Sequence, residues 1–136
     1  MERTIIVTQQ DLDRLRALID GVVSERNQEA AEALESELSH ARVVLPEEVP
    51  PNVVTMNSQV RFVDESNGVE RQITLVYPKD ASAEEGRVSV LAPVGAALIG
   101  LRTGDSIDWP MPGGRSKRLR IVEVVWQPEA AGRHDL

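Results

Sequence analysis

The period of the hydrophobic residues changes once along this chain, at the proline-rich stretch PEEVPP of residues 46–51. Before this stretch, apolar residues recur every three or four positions, which is typical of an amphipathic helix. After it, apolar and polar residues alternate, which is typical of half-buried strands. Since proline ends helices and stiffens the backbone, the stretch indicates a boundary. We therefore predict a helical unit with its linker in residues 1–51 and a strand-rich unit in residues 52–136.

The first helix is predicted to begin after Thr8, whose hydroxyl can cap the backbone N–H groups of the first turn. Asp11 stands three positions later, where a capping box has its acidic partner. The residues before Thr8 suggest a short extended lead-in, and Gly21 is expected to end the helix. One apolar stripe runs along the helix and is formed by Leu12, Leu15, Ile19 and Val22.

A second helix is predicted to begin at Arg26 or Asn27 and to be stopped by Pro46. Its apolar stripe is formed by Ala30, Leu34, Leu38, Ala41 and Leu45. Two helices with narrow stripes and a short connection favour an antiparallel hairpin, effectively a short coiled coil, that projects from the sheet unit or packs on its side. A helix of about 19 residues is about 28 Å long at about 1.5 Å per residue.

Five stretches of alternating apolar and polar residues predict five strands: NSQVRFVD, ERQITLVYP, GRVSVLAP, GDSIDWPM and KRLRIVEVVW. SNG at residues 66–68 and PGG at residues 112–114 are turn signals that join neighbouring strands into hairpins. APVGAALIG at residues 92–100 is the exception, because Pro93 suits the first turn of a helix and Gly100 its end. The second unit is therefore predicted to be an antiparallel sheet with one short helix, and the whole chain to be α+β.

The charge of the chain restricts its partners. Its 136 residues carry a formal net charge of −7, and residues 1–51 contain 11 acids against 5 bases. Because phosphate neutralisation supplies most of the affinity for nucleic acid, tight binding to naked DNA or RNA is not expected. The absence of cysteine excludes disulfides and thiolate chemistry. No apolar run approaches the roughly 20 residues of a membrane span, so we expect a cytoplasmic protein that does not bind membranes.

Few side chains suggest catalysis or metal binding. Asp20 and Glu25 flank the predicted hairpin turn, where solvated turn residues are the favoured interpretation over metal ligands. The two histidines, His40 and His134, are isolated, so we expect no metal site, no cofactor and no catalytic residue. The basic run is either a solvated hairpin or a surface for an acidic partner, and it consists of Arg115, Lys117, Arg118 and Arg120.

The order of motifs in residues 88–126 resembles the C-terminal domain of the bacterial Gre transcript-cleavage factors. The shared pattern is a strand, the segment PVGAALIG, a Gly-Asp pair, a Pro-Gly-Gly turn and a final strand ending in IVEVVW. The stretches VVTMNSQVRF and WQPEAAG further resemble the Rnk group of this Gre-like family, which is named for the regulation of nucleoside diphosphate kinase. The resemblance covers most of residues 52–132.

This resemblance implies an FKBP-like sheet domain that docks at the rim of the RNA polymerase secondary channel. In the Gre factors a long coiled coil enters that channel, and an acidic pair at its tip helps to hold the catalytic magnesium ion. Here the predicted hairpin is short, and Asp20 and Glu25 lie five positions apart. The resemblance therefore implies a transcription regulator that competes with Gre-type factors for the polymerase and does not stimulate transcript cleavage.

The resemblance also implies which residues contact the polymerase. In the Gre factors a turn that begins at Ser-Pro is part of the docking surface, and Leu91, Ala92, Pro93 and Val94 take its place here. Ala92 replaces the serine and Leu91 replaces a polar or acidic residue, which makes this segment more apolar. We expect these residues to form an exposed docking edge, while a buried helix with closely packed glycines is the competing interpretation of the wider segment.

Two other functions stay open for this pattern. FKBP-like domains include peptidyl-prolyl isomerases, whose pockets are lined with aromatic residues. The aromatic residues of this chain are instead spread over four predicted strands: Phe62, Tyr77, Trp109 and Trp126. A nucleoside diphosphate kinase activity is not expected, because the chain has no P-loop. The second alternative is a protein-interaction adaptor without a role at the polymerase. We expect the chain to act as a monomer.

Overall fold

The computed structural model describes residues 5–21, 25–111 and 115–133. Within these ranges the chain is mixed α+β, as predicted. The helices are α1 (Gln9–Asp20), α2 (Glu25–Ser39) and α3 (Pro93–Leu98). The strands are β1 (Ile6–Thr8), β2 (Arg42–Val44), β3 (Gln59–Asp64), β4 (Val69–Val76), β5 (Arg87–Ser89), β6 (Ser106–Met111) and β7 (Arg115–Trp126). None of the helices in the described part of the chain is long and apolar enough to cross a membrane.

The five strands of the second unit form one sheet in the order β5-β4-β3-β7-β6. β3 and β4 form the predicted antiparallel hairpin, and Gly68 takes a positive φ of 73° at its turn, as the SNG signal requires. β6 and β7 also pair antiparallel, while the PGG turn at residues 112–114 lies outside the described residues.

The prediction of an antiparallel sheet is wrong at one edge. β5 pairs parallel to β4, with Thr74 opposite Arg87 and Val76 opposite Ser89. The physical reason is the connection between the two strands, which contains two short 3-10 helices at Pro78–Asp80 and Ala83–Glu85. A tight turn forces antiparallel pairing, but a longer crossover returns the chain to the starting end of the first strand.

The first helix begins and ends where the sequence predicts. The Thr8 hydroxyl accepts a hydrogen bond from the backbone N–H of Asp11 at 3.1 Å. Gly21 caps the other end, and its N–H donates to the carbonyl of Ala17 at 3.2 Å. Leu12 and Leu15 are buried and Ile19 is partly buried, whereas Val22 lies outside the described residues. The lead-in is extended as predicted, as strand β1.

The second helix is shorter than predicted, and this is a correction. It ends at Ser39, so Ala41 and Leu45 do not belong to its stripe, and Leu45 is half exposed. Residues 42–44 instead form β2, which pairs parallel with β1. Two causes combine: the consecutive valines of RVV favour an extended backbone, and the N–H of Arg42 donates to the carbonyl of Ile5 at 2.8 Å.

The core is continuous between the helices and the sheet. One buried cluster contains side chains of both hairpin helices together with residues of the sheet and of α3. Its fully buried members include Leu15, Leu34, Leu98, Leu119 and Ile121. The part of the helical hairpin farthest from its turn therefore packs on the side of the sheet unit. This is one of the two arrangements expected from its narrow stripes.

Candidate functional site

The segment at residues 92–100 contains the whole of α3 and packs tightly against its neighbours. Ala96, Ala97 and Leu98 are each at most 2% exposed. A Cβ on Gly95 would lie 2.1 Å from the carbonyl oxygen of Ser89, so only glycine allows this contact. Gly100 takes a positive φ of 79°, and its N–H donates to the carbonyl of Val54. The later part of the segment is thus a buried helix with close glycine contacts.

Fewer of residues 91–94 are exposed than the sequence predicts. Leu91 is only 6% exposed, so its expected place on the surface is wrong. Its N–H donates to the Ser89 hydroxyl at 3.0 Å, which turns the chain after β5 and directs this residue into the core. Ala92 and Val94 are partly exposed. Pro93 begins α3, and its side chain lies outside the described residues.

Ala92 and Val94 form one wall of a groove of about 270 Å³. The groove lies on the face of the sheet that also carries the core residues, and we call it the inner-face groove. The other lining residues come from β3, β4, β5, β7 and the β3–β4 turn: Phe62, Asp64, Asn67, Val69, Arg71, Ile73, Val88, Lys117 and Leu119. Sequence analysis did not find it, because it depends on which strands become neighbours.

Two cations and one anion line the inner-face groove. Asp64 lies 3.4 Å from the ammonium group of Lys117. Hydrogen bonds from the hydroxyl and N–H of Ser66 lower the pKa of Asp64, so this carboxyl group is ionised at neutral pH. Among the described residues, Arg71 forms no ion pair. The groove therefore has a local excess of one positive charge in a chain of net charge −7.

The basic run on β7 is largely neutralised within the chain. Arg118 lies 3.4 Å from Asp108 and 3.6 Å from Glu65, and Arg120 lies 3.5 Å from Glu65. Lys117 is paired inside the groove, and the side chain of Arg115 lies outside the described residues. These pairs favour the interpretation as a solvated hairpin over that of a surface for an acidic partner.

Of the two acidic residues predicted at the hairpin tip, only Asp20 has a side chain among the described residues. Asp20 is exposed at the end of α1. Residues 22–24 and the side chain of Glu25 lie outside the described residues. Across the described ranges, no three His, Asp or Glu side chains lie close enough together to hold a metal ion. His40 sits beside the end of α2, with its Nδ1 3.0 Å from the carbonyl of Ser36, and His134 is outside the described part.

Sequence reasoning missed a buried polar cluster between α1 and the sheet unit. Asp11 is 1% exposed, and its Oδ2 accepts a hydrogen bond from the N–H of Met56 at 3.1 Å. The pKa of Asp11 is raised to about 7, mainly by burial and in smaller part by the nearby carboxylate of Glu129, while the hydrogen bond from Met56 opposes the rise. Burial also raises the pKa of the neighbouring Tyr77 hydroxyl. The capping pattern located Asp11 correctly but gave no sign of its distant partner.

The aromatic residues do not converge on a pocket. Phe62 lies at the floor of the inner-face groove, whereas Tyr77 belongs to the polar cluster beside Asp11. Trp126 ends β7 outside the groove lining, and the side chain of Trp109 lies outside the described residues. Among the described side chains, the groove therefore lacks the aromatic lining that the isomerase alternative needs.

Comparison with known proteins gives two family matches along the chain. Residues 49–125 match the family described as transcription elongation factor GreA/GreB, C-terminal. Residues 3–44 match the family described as Rnk N-terminus. The first match covers β3 to β6, α3, all of β7 except Trp126 and every residue of the inner-face groove. The second match covers β1, α1, α2 and β2.

Individual relatives agree with these matches. The chain is 46% identical over 129 residues to the regulator of nucleoside diphosphate kinase of Escherichia coli (strain K12), covering 95% of this chain and 94% of that one. It is 33% identical over 112 residues to transcription elongation factor GreA of Azorhizobium caulinodans, covering 82% of this chain and 66% of that one. A solved structure described as a prokaryotic transcription elongation factor GreA/GreB from Nitrosomonas europaea is 48% identical. It has a TM-score of 0.73 and is matched over its whole length by 92% of this chain.

Proposed function

The chain belongs to the GreA/GreB family of transcription elongation factors, in the group with an Rnk-type N-terminus, and from this premise we propose that it is a transcription regulator that binds RNA polymerase. The proposed site on the polymerase is the rim of the secondary channel, where the protein competes with Gre-type factors. The observation that supports the proposal most is the family match over residues 49–125, which spans the sheet and the candidate groove together.

The proposal divides the work between two units. Residues 52–136 are the docking unit, for which we propose an FKBP-like domain, with one short helix packed on the inner face of the sheet. Residues 1–51 are the hairpin, which points from the docking unit towards the channel as a short coiled coil. The protein acts as a monomer in the cytoplasm, where its partner is, and it has no tight affinity for free nucleic acid.

The proposal excludes transcript cleavage on the ground of reach. α1 has 12 residues and α2 has 15, which correspond to about 18 Å and about 22 Å at about 1.5 Å per residue. Both are shorter than the helix of about 28 Å that the sequence predicts. A hairpin of this length sits at the entrance of a channel that a longer arm would traverse. The proposed function is therefore to occupy the entrance and exclude other factors.

The docking contact is proposed at Ala92, Pro93 and Val94. Ala92 and Val94 support it because both are partly exposed beside an apolar groove. Leu91 takes part only indirectly, since its burial holds the turn in place.

The test is competition for core RNA polymerase between the full chain and a GreA protein. The chain is expected to bind the polymerase and to displace labelled GreA. Val94→Glu should weaken this binding by about tenfold, because a charge then faces an apolar contact. The matched control is Val125→Glu, which places the same charge at an exposed valine of β7 outside the groove. Backtracked complexes with magnesium should show cleavage at the polymerase's own rate only.

Failure would be clear in this assay. If the chain does not bind core polymerase at micromolar concentration, the proposal is wrong. The alternative, a protein-interaction adaptor without a role at the polymerase, then replaces it. If it binds but Val94→Glu and Val125→Glu have equal effects, the docking surface lies away from α3.

A further inference from the structure

The inner face of the sheet is longer than the helix that covers it. α3 has 6 residues and β4 has 8, so α3 is about 9 Å long and β4 about 27 Å at the usual rises per residue. At the covered end of β4, Leu75 is fully buried. At the opposite end, Val69 on the same face is 48% exposed. Val69, together with the partly exposed Ile73 and Val94, therefore forms an apolar strip that is open to solvent in the inner-face groove.

Pairing across the sheet sets charges beside this strip. Arg71 lies opposite Phe62, and Val69 lies opposite Asp64, so charged and apolar residues share this end of the inner face. Asp64 is already occupied by Ser66 and Lys117. Arg71 is exposed and forms no ion pair with any described residue, which leaves its charge available to a ligand.

We propose that the inner-face groove binds a peptide segment in which an apolar side chain is flanked by a carboxylate. The apolar side chain packs on Val69, Ile73 and Val94, and the carboxylate pairs with Arg71. This inference rests on the proposed function, because Val94 also belongs to the proposed docking contact, and it states the chemistry that the partner's surface presents there. Charge complementarity selects the ligand, since an arginine can bind a carboxylate through two parallel hydrogen bonds.

The first experiment measures the groove without the polymerase. The full-length, isotope-labelled chain is titrated with an acetylated peptide of alternating glutamate and leucine, and amide chemical shifts are recorded. Shifts at Val69, Arg71 and Val94 are expected with this peptide. A lysine–leucine peptide and a glutamate–serine peptide are expected to bind about threefold to fivefold more weakly, because each lacks one of the two contacts. Equal binding of all three peptides, or no shifts at millimolar peptide, overturns the proposal.

The second experiment uses charge-matched variants of the chain with both ligands. Arg71→Glu should weaken binding of the glutamate–leucine peptide and of core polymerase by roughly tenfold at low salt, and Arg71→Gln by less. Lys79→Glu changes the net charge equally at an exposed residue outside the groove and should leave both affinities unchanged. Melting temperatures of the variants verify that each remains folded.

The two proposals fail in different ways. If the peptide binds through Arg71 but the polymerase does not bind the chain at all, the proposed function is wrong and the groove stands as a peptide site. If the polymerase binds the chain, and neither the Arg71 variants nor the competing peptide changes that affinity, the groove proposal is wrong while the proposed function stands.

Discussion

The carboxyl group of Asp11 should make the stability of the protein fall as the pH rises. Burial raises its pKa from the ordinary 3.8 to about 7 in the folded chain, so the folded state holds a proton that the unfolded state has lost. The contribution of this group to the free energy of unfolding is then greatest below about pH 4. It falls as the pH rises from about 4 to about 7 and changes little above that. The difference of about three pKa units corresponds to at most about 4 kcal/mol at about 1.4 kcal/mol per unit.

The substitution Asp11→Asn isolates this contribution. Asparagine keeps an oxygen that can accept the hydrogen bond from the N–H of Met56, but it carries no charge at any pH. The variant should therefore be more stable than the wild type by up to about 4 kcal/mol at pH 8.5 and by less than half of that at pH 5, where the folded carboxyl group is protonated and only the unfolded one has ionised. Urea unfolding at both pH values measures the free energy of unfolding of each protein.

A neighbouring substitution supplies the control. Asp13 is exposed on the same helix, so Asp13→Asn should change stability little and equally at the two pH values. The ionisable groups around Asp11 are Glu129, Arg14 and the Tyr77 hydroxyl; Glu129 raises the pKa of Asp11 and Arg14 lowers it, while the raised pKa of Tyr77 keeps its hydroxyl neutral at both pH values. If the stability gained by Asp11→Asn is the same at pH 5 and pH 8.5, the carboxyl group titrates normally and the reasoning from burial is refuted.

Three further changes test the packing described above. Gly95→Ala should destabilise the fold by about 2 kcal/mol or more because its Cβ would meet the Ser89 backbone, whereas Gly21→Ala, with its nearest contact at 3.5 Å, should be tolerated in thermal unfolding. Leu34→Ala should cost about 2–5 kcal/mol in urea unfolding, while Leu45→Ala should cost far less because that side chain is half exposed. Leu91→Asp should lower the melting temperature, since the charge would be buried; unchanged melting with lost polymerase binding would return Leu91 to the docking surface.

Local sequence signals predicted those features whose causes are local. The Thr8 cap and the Gly21 end bound α1 because a hydroxyl and a glycine act within one helical turn. The five alternating stretches became the five strands of the sheet, because alternation places one side of a strand on the core wherever its partner lies. The positive φ of Gly68 likewise follows from the turn residues themselves.

Features that depend on distant partners could not be read in this way. Residues 42–44 continue an acceptable helical pattern, and they became a strand because β1, which precedes α1, lies beside them and offers its free edge. The capping pattern placed Asp11 in the first turn of α1, but only packing against residues 53–58 gave its carboxyl group a buried partner at Met56.

The candidate site shows the same division. The amino-acid pattern predicted a small apolar segment with a short helix at residues 92–100, and the order of the motifs indicated the family. Tertiary structure alone decided that Leu91 faces the core while Val94 faces a groove, because the direction of each side chain depends on how the chain turns after β5. It also decided that Arg71 and Val69 border that groove, since strand order and register bring residues from four strands to one face of the sheet.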